Sequence, residues 1–530
     1  MGWRREESVL SAINELSLSR KWTFVLLFVM YGSTLGIRIY WFSQKMHFFL
    51  DETASVQLAC GNEWNYEKNR GYTGKEAKEV GLLCRKSVLR DVFHLWQDNK
   101  DSVHTNLYYS LLRVSLGGLN SVDTKEIIFR GAVLNLFLFT VSFVFFFLLM
   151  KLLFPDYPFL QATSTFCAFL STAAISNTMY LREYQMQETL FIVFCYFFFK
   201  TFDIKKYAIR NDRLRVNIKL LALLSLVTAF TLLAGYYAIV FVGLFGLYAI
   251  YYKRGKEDRP EILFYAAVLC LAVVFAQIFY LKYLYGYFSV RTAEEGRTVT
   301  NHLFSQGMLL ENIRSSLDWF RLLVWYYFFT YPVIAICALC LLFVIIYRRR
   351  NFFVQNRALA IFAVAVAYAV IILFLAPWKK LRYVAPVFPF FMIFPAALIY
   401  SIGKRKISAL IMLLLCLFFS LYALKKKNID HLFSLDVYAF RNDPAVPVFI
   451  FNNTQWKYRE LVHWFNDKQI YYFNTPGAFD LSNNGELYFV ADTTPGVMDN
   501  MKLYIQNIEA VERRFSWDFF VGGKVRLRKQ

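Results

Sequence analysis

Long apolar runs, separated by short polar or basic intervals, occupy the chain up to Leu424. A helix must present roughly 20 mostly apolar residues to cross the hydrocarbon core of a bilayer. By that criterion about eleven segments qualify, near residues 23–42, 129–150, 158–178, 186–201, 219–234, 236–252, 261–283, 322–346, 357–376, 383–401 and 407–424. The fifth and sixth are short and meet at Ala234-Gly235, which favours a tight hairpin. After Lys427 the pattern changes. Strand-like runs at Val446–Phe451, Ile470–Phe473, Glu486–Val490 and Lys524–Leu527 alternate with a helix-like stretch, Gln455–Phe465. The predicted fold class is therefore mainly α: a polytopic transmembrane helical bundle with outer amphipathic helices and a small C-terminal α/β domain. Its expected parts are a cytoplasmic N-terminus (1–22), a membrane domain (23–427) containing a first outer loop (43–128), and an extracytoplasmic domain (428–530).

Composition agrees with the pattern. Hydrophobic residues make up 57% of the 530 positions, against about 45–50% in soluble proteins. The excess is carried by 56 Phe and 35 Tyr. The net charge of +21 would suggest nucleic acid in a soluble protein. Here the basic residues lie between apolar runs, so the expected partner is a lipid bilayer and not nucleic acid.

Those basic residues also predict an orientation. Arg4, Arg5, Arg20 and Lys21 precede the first span and place the N-terminus inside. Lys200 to Lys219, Lys253 to Lys256, Arg348 to Arg350 and Lys404 to Lys406 then all fall on the cytoplasmic side. The first apolar run is too long for a signal peptide and lacks a small-residue cleavage site. The expected location is the cytoplasmic (inner) membrane, crossed many times, with the C-terminal domain outside.

Of eight cysteines, six lie in apolar spans as packing residues. Cys60 and Cys84 lie in the first outer loop. An oxidising compartment allows them to form a disulfide, although two cysteines of one loop need not be close. Neither they nor the six histidines have zinc-ligand spacing.

Polar groups at membrane depth are costly, so they are candidates for function. Asp51-Glu52 follows the first span. A carboxylate at the water–membrane boundary has a tunable pKa and can accept a proton from a hydroxyl; such a pair also suits the cap of a following helix. Arg182-Glu183-Tyr184 and Glu188 lie between the third and fourth spans, where Arg182 can bind a phosphate or pair with an acid. Lys379, Lys380 and Arg382, followed by Tyr383, put cations on the outer side, against the usual bias. Cations placed there suit a phosphate that gains charge as a bond to it breaks; snorkelling to lipid headgroups is the simpler alternative. His104 opens an amphipathic stretch that runs to about Leu116.

Together these sites resemble the GT-C class of membrane glycosyltransferases, in the branch of protein O-mannosyltransferases and the bacterial aminoarabinose transferase. The resemblance covers roughly residues 20–425. Asp51-Glu52 matches an acidic pair at the start of the first outer loop. His104 to Tyr109 is similar to a His-Pro-Pro-Leu-Tyr-Tyr element, with Thr105 and Asn106 in place of both prolines. Arg130 opens the second span, and Arg182-x-Tyr184 resembles an Arg-x-Tyr pattern with Glu188 near a commonly acidic position. Arg382-Tyr383, Pro386 and Pro389 resemble an Arg-Tyr-x-x-Pro-x-x-Pro signature.

The resemblance implies an enzyme that moves a sugar from a polyprenyl-phosphate-linked donor to a lipid, glycan or protein acceptor on the outer face of the membrane, by an inverting single displacement. Asp51 would be the base. Glu52, His104 and Glu188 would orient acceptor or base. Arg182, Lys379, Lys380 and Arg382 would bind the donor phosphate, supported by Tyr184 and Tyr383. Some relatives need a divalent metal, but no ligand set can be assembled from this sequence. A lipid-linked oligosaccharide ligase or polymerase, and a non-enzymatic glycolipid transporter or flippase, would share the layout.

Overall fold

The computed structural model describes residues 20–45, 48, 50–61, 70–84, 87–97, 104–119, 122–201, 209–210, 213–214, 218–252, 259–288, 297, 306–324, 331–346, 356–376, 380–402, 405–425, 445–451, 467–473, 486–492, 508–517 and 520–527. The chain forms two compact units. One comprises Met1–Phe42, Trp96–Tyr108 and Ala132–Asp430, the other Ser43–Leu95, Tyr109–Gly131 and His431–Gln530.

The first unit is the helical bundle. Among the described residues, five helices are long and apolar enough to cross a membrane: Trp22–Gln44, Thr124–Leu153, Ile262–Phe279, Arg357–Leu375 and Lys406–Ala423. The pair Pro158–Leu170 and Thr172–Met179 adds a sixth if counted as one span, bent by 58°. The apolar pattern suggests one unbroken span there. The bend falls at Ser171, which is extended (φ −58°, ψ 139°) and whose hydroxyl caps the second helix through the Ala174 N–H. A serine cap offers the backbone an alternative to continued helix.

Shorter apolar helices, Ile218–Leu233 and Ala238–Tyr252, flank the expected hairpin. Two further segments differ from one regular span each. In 322–346 the described apolar helix is Tyr331–Ile346, and Leu322 ends another helix, Gln306–Leu322. That earlier helix carries Glu311, Arg314, Asp318 and Arg321, too many charges for the hydrocarbon. In 383–401, Pro386 and Pro389 remove backbone donors. The chain answers with 3-10 turns at Leu381–Tyr383 and Ala385–Val387, a short helix, Phe388–Phe391, and then Ile393–Ser401.

This unit also exposes large apolar side chains that a soluble protein would bury, while it buries charge. On the first helix Phe24 is 70% and Phe28 75% exposed, while Arg38 on the same helix is 0% exposed. Arg38 donates from Nε to Thr178 Oγ1 at 3.0 Å and from Nη2 to the Phe169 carbonyl at 2.9 Å. Its guanidinium also lies 3.9 Å from the Phe139 ring centroid. Apolar residues outside and a fully partnered cation inside are what a lipid solvent selects. Trp41 closes the other side, donating to the Ala423 carbonyl at the end of the last helix at 3.0 Å.

Eight strands occur among the described residues: β1 (Gly71–Thr73), β2 (Ile209–Arg210), β3 (Arg213–Leu214), β4 (Val448–Phe451), β5 (Ile470–Phe473), β6 (Glu486–Asp492), β7 (Ile508–Trp517) and β8 (Phe520–Leu527). β2 and β3 pair with each other in the first unit. The other six form the sheet of the second unit, in the order β1-β5-β4-β6-β8-β7. Its centre, β5-β4-β6, is parallel and its flanks are antiparallel.

β7 carries Glu509, Glu512, Arg513 and Arg514, which hid it from an apolar-run criterion. The helix-like stretch Gln455–Phe465 lies outside the described residues. β1 comes from the first loop and runs into the helix Gly74–Leu82, with Thr73 and Glu76 forming a reciprocal capping box. A disulfide joins Cys60, at the end of the helix Leu50–Cys60, to Cys84, with Cα atoms 4.7 Å apart. Nearby, Arg113 and Asp91 form a buried pair at 2.7 Å.

Candidate functional site

The turn after Met179 is built from side chains that must meet across sequence. The helix Thr172–Met179 stops at Tyr180, and a new helix begins at Tyr184. Asn135 holds the turn by donating its amide to the carbonyls of Thr178 (2.9 Å) and Tyr180 (3.0 Å), and it accepts from the Tyr108 hydroxyl. Within the turn Arg182 Nη2 lies 2.9 Å from His104 Nε2, and His104 Nδ1 lies 3.2 Å from Glu183 Oε1. A guanidinium can only donate, so Nε2 accepts and the imidazole proton sits on Nδ1, facing Glu183. Both ring nitrogens are thereby engaged. Burial pushes the Glu183 carboxyl up, but Arg182 and His104 outweigh it and hold it well below the usual carboxylate range. Arg182, His104 and Glu183 form a closed ionic cluster.

Thr105 and Asn106, where the motif has prolines, serve the same cluster. Thr105 Oγ1 donates to the carbonyl of Leu233, the last residue of its helix, and Asn106 Nδ2 donates to that of Phe279, the last residue of another, at 3.3 Å. Each satisfies an orphan carbonyl of a helix end. The substitution exchanges proline stiffness for two hydrogen-bonded anchors, and His104 is fixed all the same.

Glu188 is 0% exposed on the helix Tyr184–Thr201. It accepts from Asn177 Nδ2 at 3.0 Å and from Gln185 Nε2 at 2.9 Å. Gln185 Oε1 in turn accepts from Thr178 Oγ1 at 2.8 Å, which itself accepts from Arg38. Glu188 therefore ends a buried polar chain that starts at Arg38.

The proline-broken segment presents the second group of residues. Lys380 is extended and exposed, and Arg382 lies half-buried in the 3-10 turn that follows. Arg382 Nη1 donates to the Tyr180 hydroxyl at 3.0 Å. Its guanidinium carbon lies 5.8 Å from the Tyr180 ring and 5.6 Å from the Tyr383 ring, in cation–π range. Tyr180 stacks on Tyr184 (5.8 Å, 4°), and Tyr184 meets Tyr383 at 6.2 Å. The structure thus brings Arg382 and Tyr383 to the same turn that carries Arg182 and Tyr184, which His104 meets through Arg182 and Glu183. Lys379 lies outside the described residues.

Asp51 and Glu52 belong to the second unit, in the first turn of the helix Leu50–Cys60. Glu52 is fully buried in an ion pair with Lys45, itself fully buried. Burial pushes the Lys45 ammonium down, against the opposing pull of Glu52. Asp51 is half-buried. Among the described residues no group of three or more His, Cys, Asp or Glu side chains could hold a metal ion.

Sequence reasoning gave no role to Tyr180, Glu183, Asn135, Asn177 or Gln185. Glu183 could have been found, because it lies inside the Arg182-x-Tyr184 motif. Asn135 gives a weaker signal, being a lone amide in an otherwise apolar span.

The described residues form a bent, proline-interrupted helical bundle with a small sheet besides. The chain is similar to ArnT from Cupriavidus metallidurans in the apo state, at 12% identity over 96% of this chain and 98% of that chain, with a TM-score of 0.52. The same protein bound to undecaprenyl phosphate matches at 10% identity over the same shares of each chain, also with a TM-score of 0.52. A more distant likeness is to the Archaeoglobus fulgidus oligosaccharyltransferase in its apo form, at 10% identity over 90% of this chain and 70% of that chain, with a TM-score of 0.45. No protein-family model matches the chain, and no curated protein matches it by sequence.

Proposed function

We propose that this chain is a membrane glycosyltransferase that moves a sugar from a polyprenyl-phosphate-linked donor to a lipid, glycan or protein hydroxyl on the outer face of the cytoplasmic membrane. One observation carries the reading. Arg382 is held against Tyr180 and Tyr383 at the break of a span, in a fold similar to that of a protein solved with undecaprenyl phosphate. A guanidinium so placed suits a phosphate that arrives on a lipid chain.

The reaction is an inverting single displacement. Asp51 takes the acceptor's hydroxyl proton as the oxygen attacks the anomeric carbon. The bond from that carbon to the phosphate oxygen breaks, and its electron pair leaves with the lipid phosphate. Arg382, with Lys379 and Lys380, stabilises the charge that develops there, so no general acid is needed. Arg182, held by His104 and Glu183, supports the turn that carries Tyr184 and adds its positive charge to that turn. Glu52, occupied by Lys45, positions the start of the Asp51 helix. The N-terminus is on the cytoplasmic side, and residues 428–530 lie outside.

Replacing Arg382 with leucine is expected to weaken binding of undecaprenyl phosphate to the purified protein. A charge-assisted hydrogen bond is worth about 1.5–3 kcal/mol, so affinity should fall by about 10–100-fold. The Arg382→Lys variant should recover part of the loss, since an ammonium supplies the point charge without the fork. Unchanged affinity of Arg382→Leu would remove the phosphate from this position.

A further inference from the structure

Tyrosines do not stop at Tyr383. Its ring meets Tyr237 at 5.8 Å in an edge contact. Tyr236, the neighbour of Tyr237, stacks on Tyr283 (5.9 Å, 22°) and meets Tyr287 edge-on at 4.7 Å. The hydroxyls of Tyr283 and Tyr287 lie 3.0 Å apart. The rings therefore form two groups, Tyr383 with Tyr237 beside Arg382 and Tyr236 with Tyr283 and Tyr287, joined where Tyr236 and Tyr237 follow one another in the chain. Tyr383, Tyr237, Tyr236 and Tyr287 are each half-buried, while Tyr180, Tyr184 and Tyr283 behind them are buried.

The position of Tyr236 and Tyr237 is built and not incidental. They sit at the tip between the helices Ile218–Leu233 and Ala238–Tyr252. Gln187 pins this tip by donating to the Ala234 carbonyl at 3.1 Å. Gly235 packs so closely on the Gln187 amide that a Cβ there would collide with it. A tip that serves only to turn the chain has no need to be fastened to a buried side chain of another helix.

We infer that the half-buried rings of Tyr383, Tyr237 and Tyr236 form a stacking platform for the pyranose of the donor, next to the Arg382 phosphate position. The inference rests on the glycosyl-transfer reading and extends it to the class of sugar. A pyranose with mainly equatorial hydroxyls has a C–H face, which packs against an aromatic face. A phosphate on Arg382 brings its sugar beside Tyr383, whose ring centroid lies 5.6 Å from the guanidinium carbon. A belt of interfacial tyrosines that only anchors helices in headgroups would not require the pinned tip or the run of ring contacts toward an arginine.

The test is retention of labelled lipids by the purified full chain. The probes are undecaprenyl phosphate and its β-linked glucose, galactose and mannose derivatives. Wild type should hold at least one of the three glycosylated lipids about tenfold more tightly than undecaprenyl phosphate. The double variant Tyr236→Leu with Tyr237→Leu should lose that advantage and keep the affinity for undecaprenyl phosphate, while Tyr236→Phe with Tyr237→Phe should keep most of both. Equal loss for all lipids in the leucine variant would show a structural role only and overturn the platform. So would a wild type that holds no glycosylated lipid better than the bare phosphate. A sugar advantage that persists in Arg382→Leu, with no change in its affinity for the bare phosphate, would overturn the phosphate assignment and leave the platform standing.

Discussion

Asparagine in place of Asp51 is expected to lower the rate of sugar transfer by about 10²–10⁴-fold, the usual contribution of a positioned general base. Three other carboxylates of these motifs are held in buried contacts. Glu52 is buried against Lys45, Glu183 is closed into its cluster with His104 and Arg182, and Glu188 accepts from two amides. Asp51 is half-buried in the first turn of its helix. Asparagine keeps shape and helix-start preference but cannot take a proton. Rates measured in membranes at saturating donor isolate the chemical step, and a rate within twofold of wild type would move the base elsewhere.

Methionine at Lys45 is expected to destabilise the protein by about 3–5 kcal/mol, because it leaves a fully buried carboxylate without its cation. The pair joins the chain just after the first span to the helix that carries Asp51, so its loss should also disorder the base. The double variant Lys45→Met with Glu52→Gln removes both charges and should recover much of the stability. Unfolding of the solubilised protein measures this. A double variant no more stable than Lys45→Met would show that the pair is not what holds this junction.

The membrane helices were legible because lipid demands long apolar runs and leaves few other ways to satisfy the backbone. Pro386 and Pro389 remove donors wherever they fall, a signal that the apolar pattern of 383–401 overrides when that stretch is read as one span. The bend at Ser171 gave no such notice, because one serine in a span is compatible with straight helix. Thr105 and Asn106 looked like departures from a motif. Their purpose became visible only with the helix ends at Leu233 and Phe279 in place. The pairing of β1 with β5 joins Tyr72 to Tyr471, a separation at which three residues carry too little pattern to announce a strand. Tyr180 and Asn135 were missed for a related reason: their partners are set by tertiary contact and not by local spacing.

The proposed reaction breaks a glycosidic bond to a lipid phosphate and remakes it on the acceptor with inverted configuration. Membranes containing the wild-type chain, supplied with a radiolabelled polyprenyl-phosphate sugar and the envelope fraction as acceptor, test it directly. The expected result is free polyprenyl phosphate released in step with label entering the acceptor, with the anomeric configuration inverted. Donor that crosses the membrane intact, or label transferred with retained configuration, would contradict it.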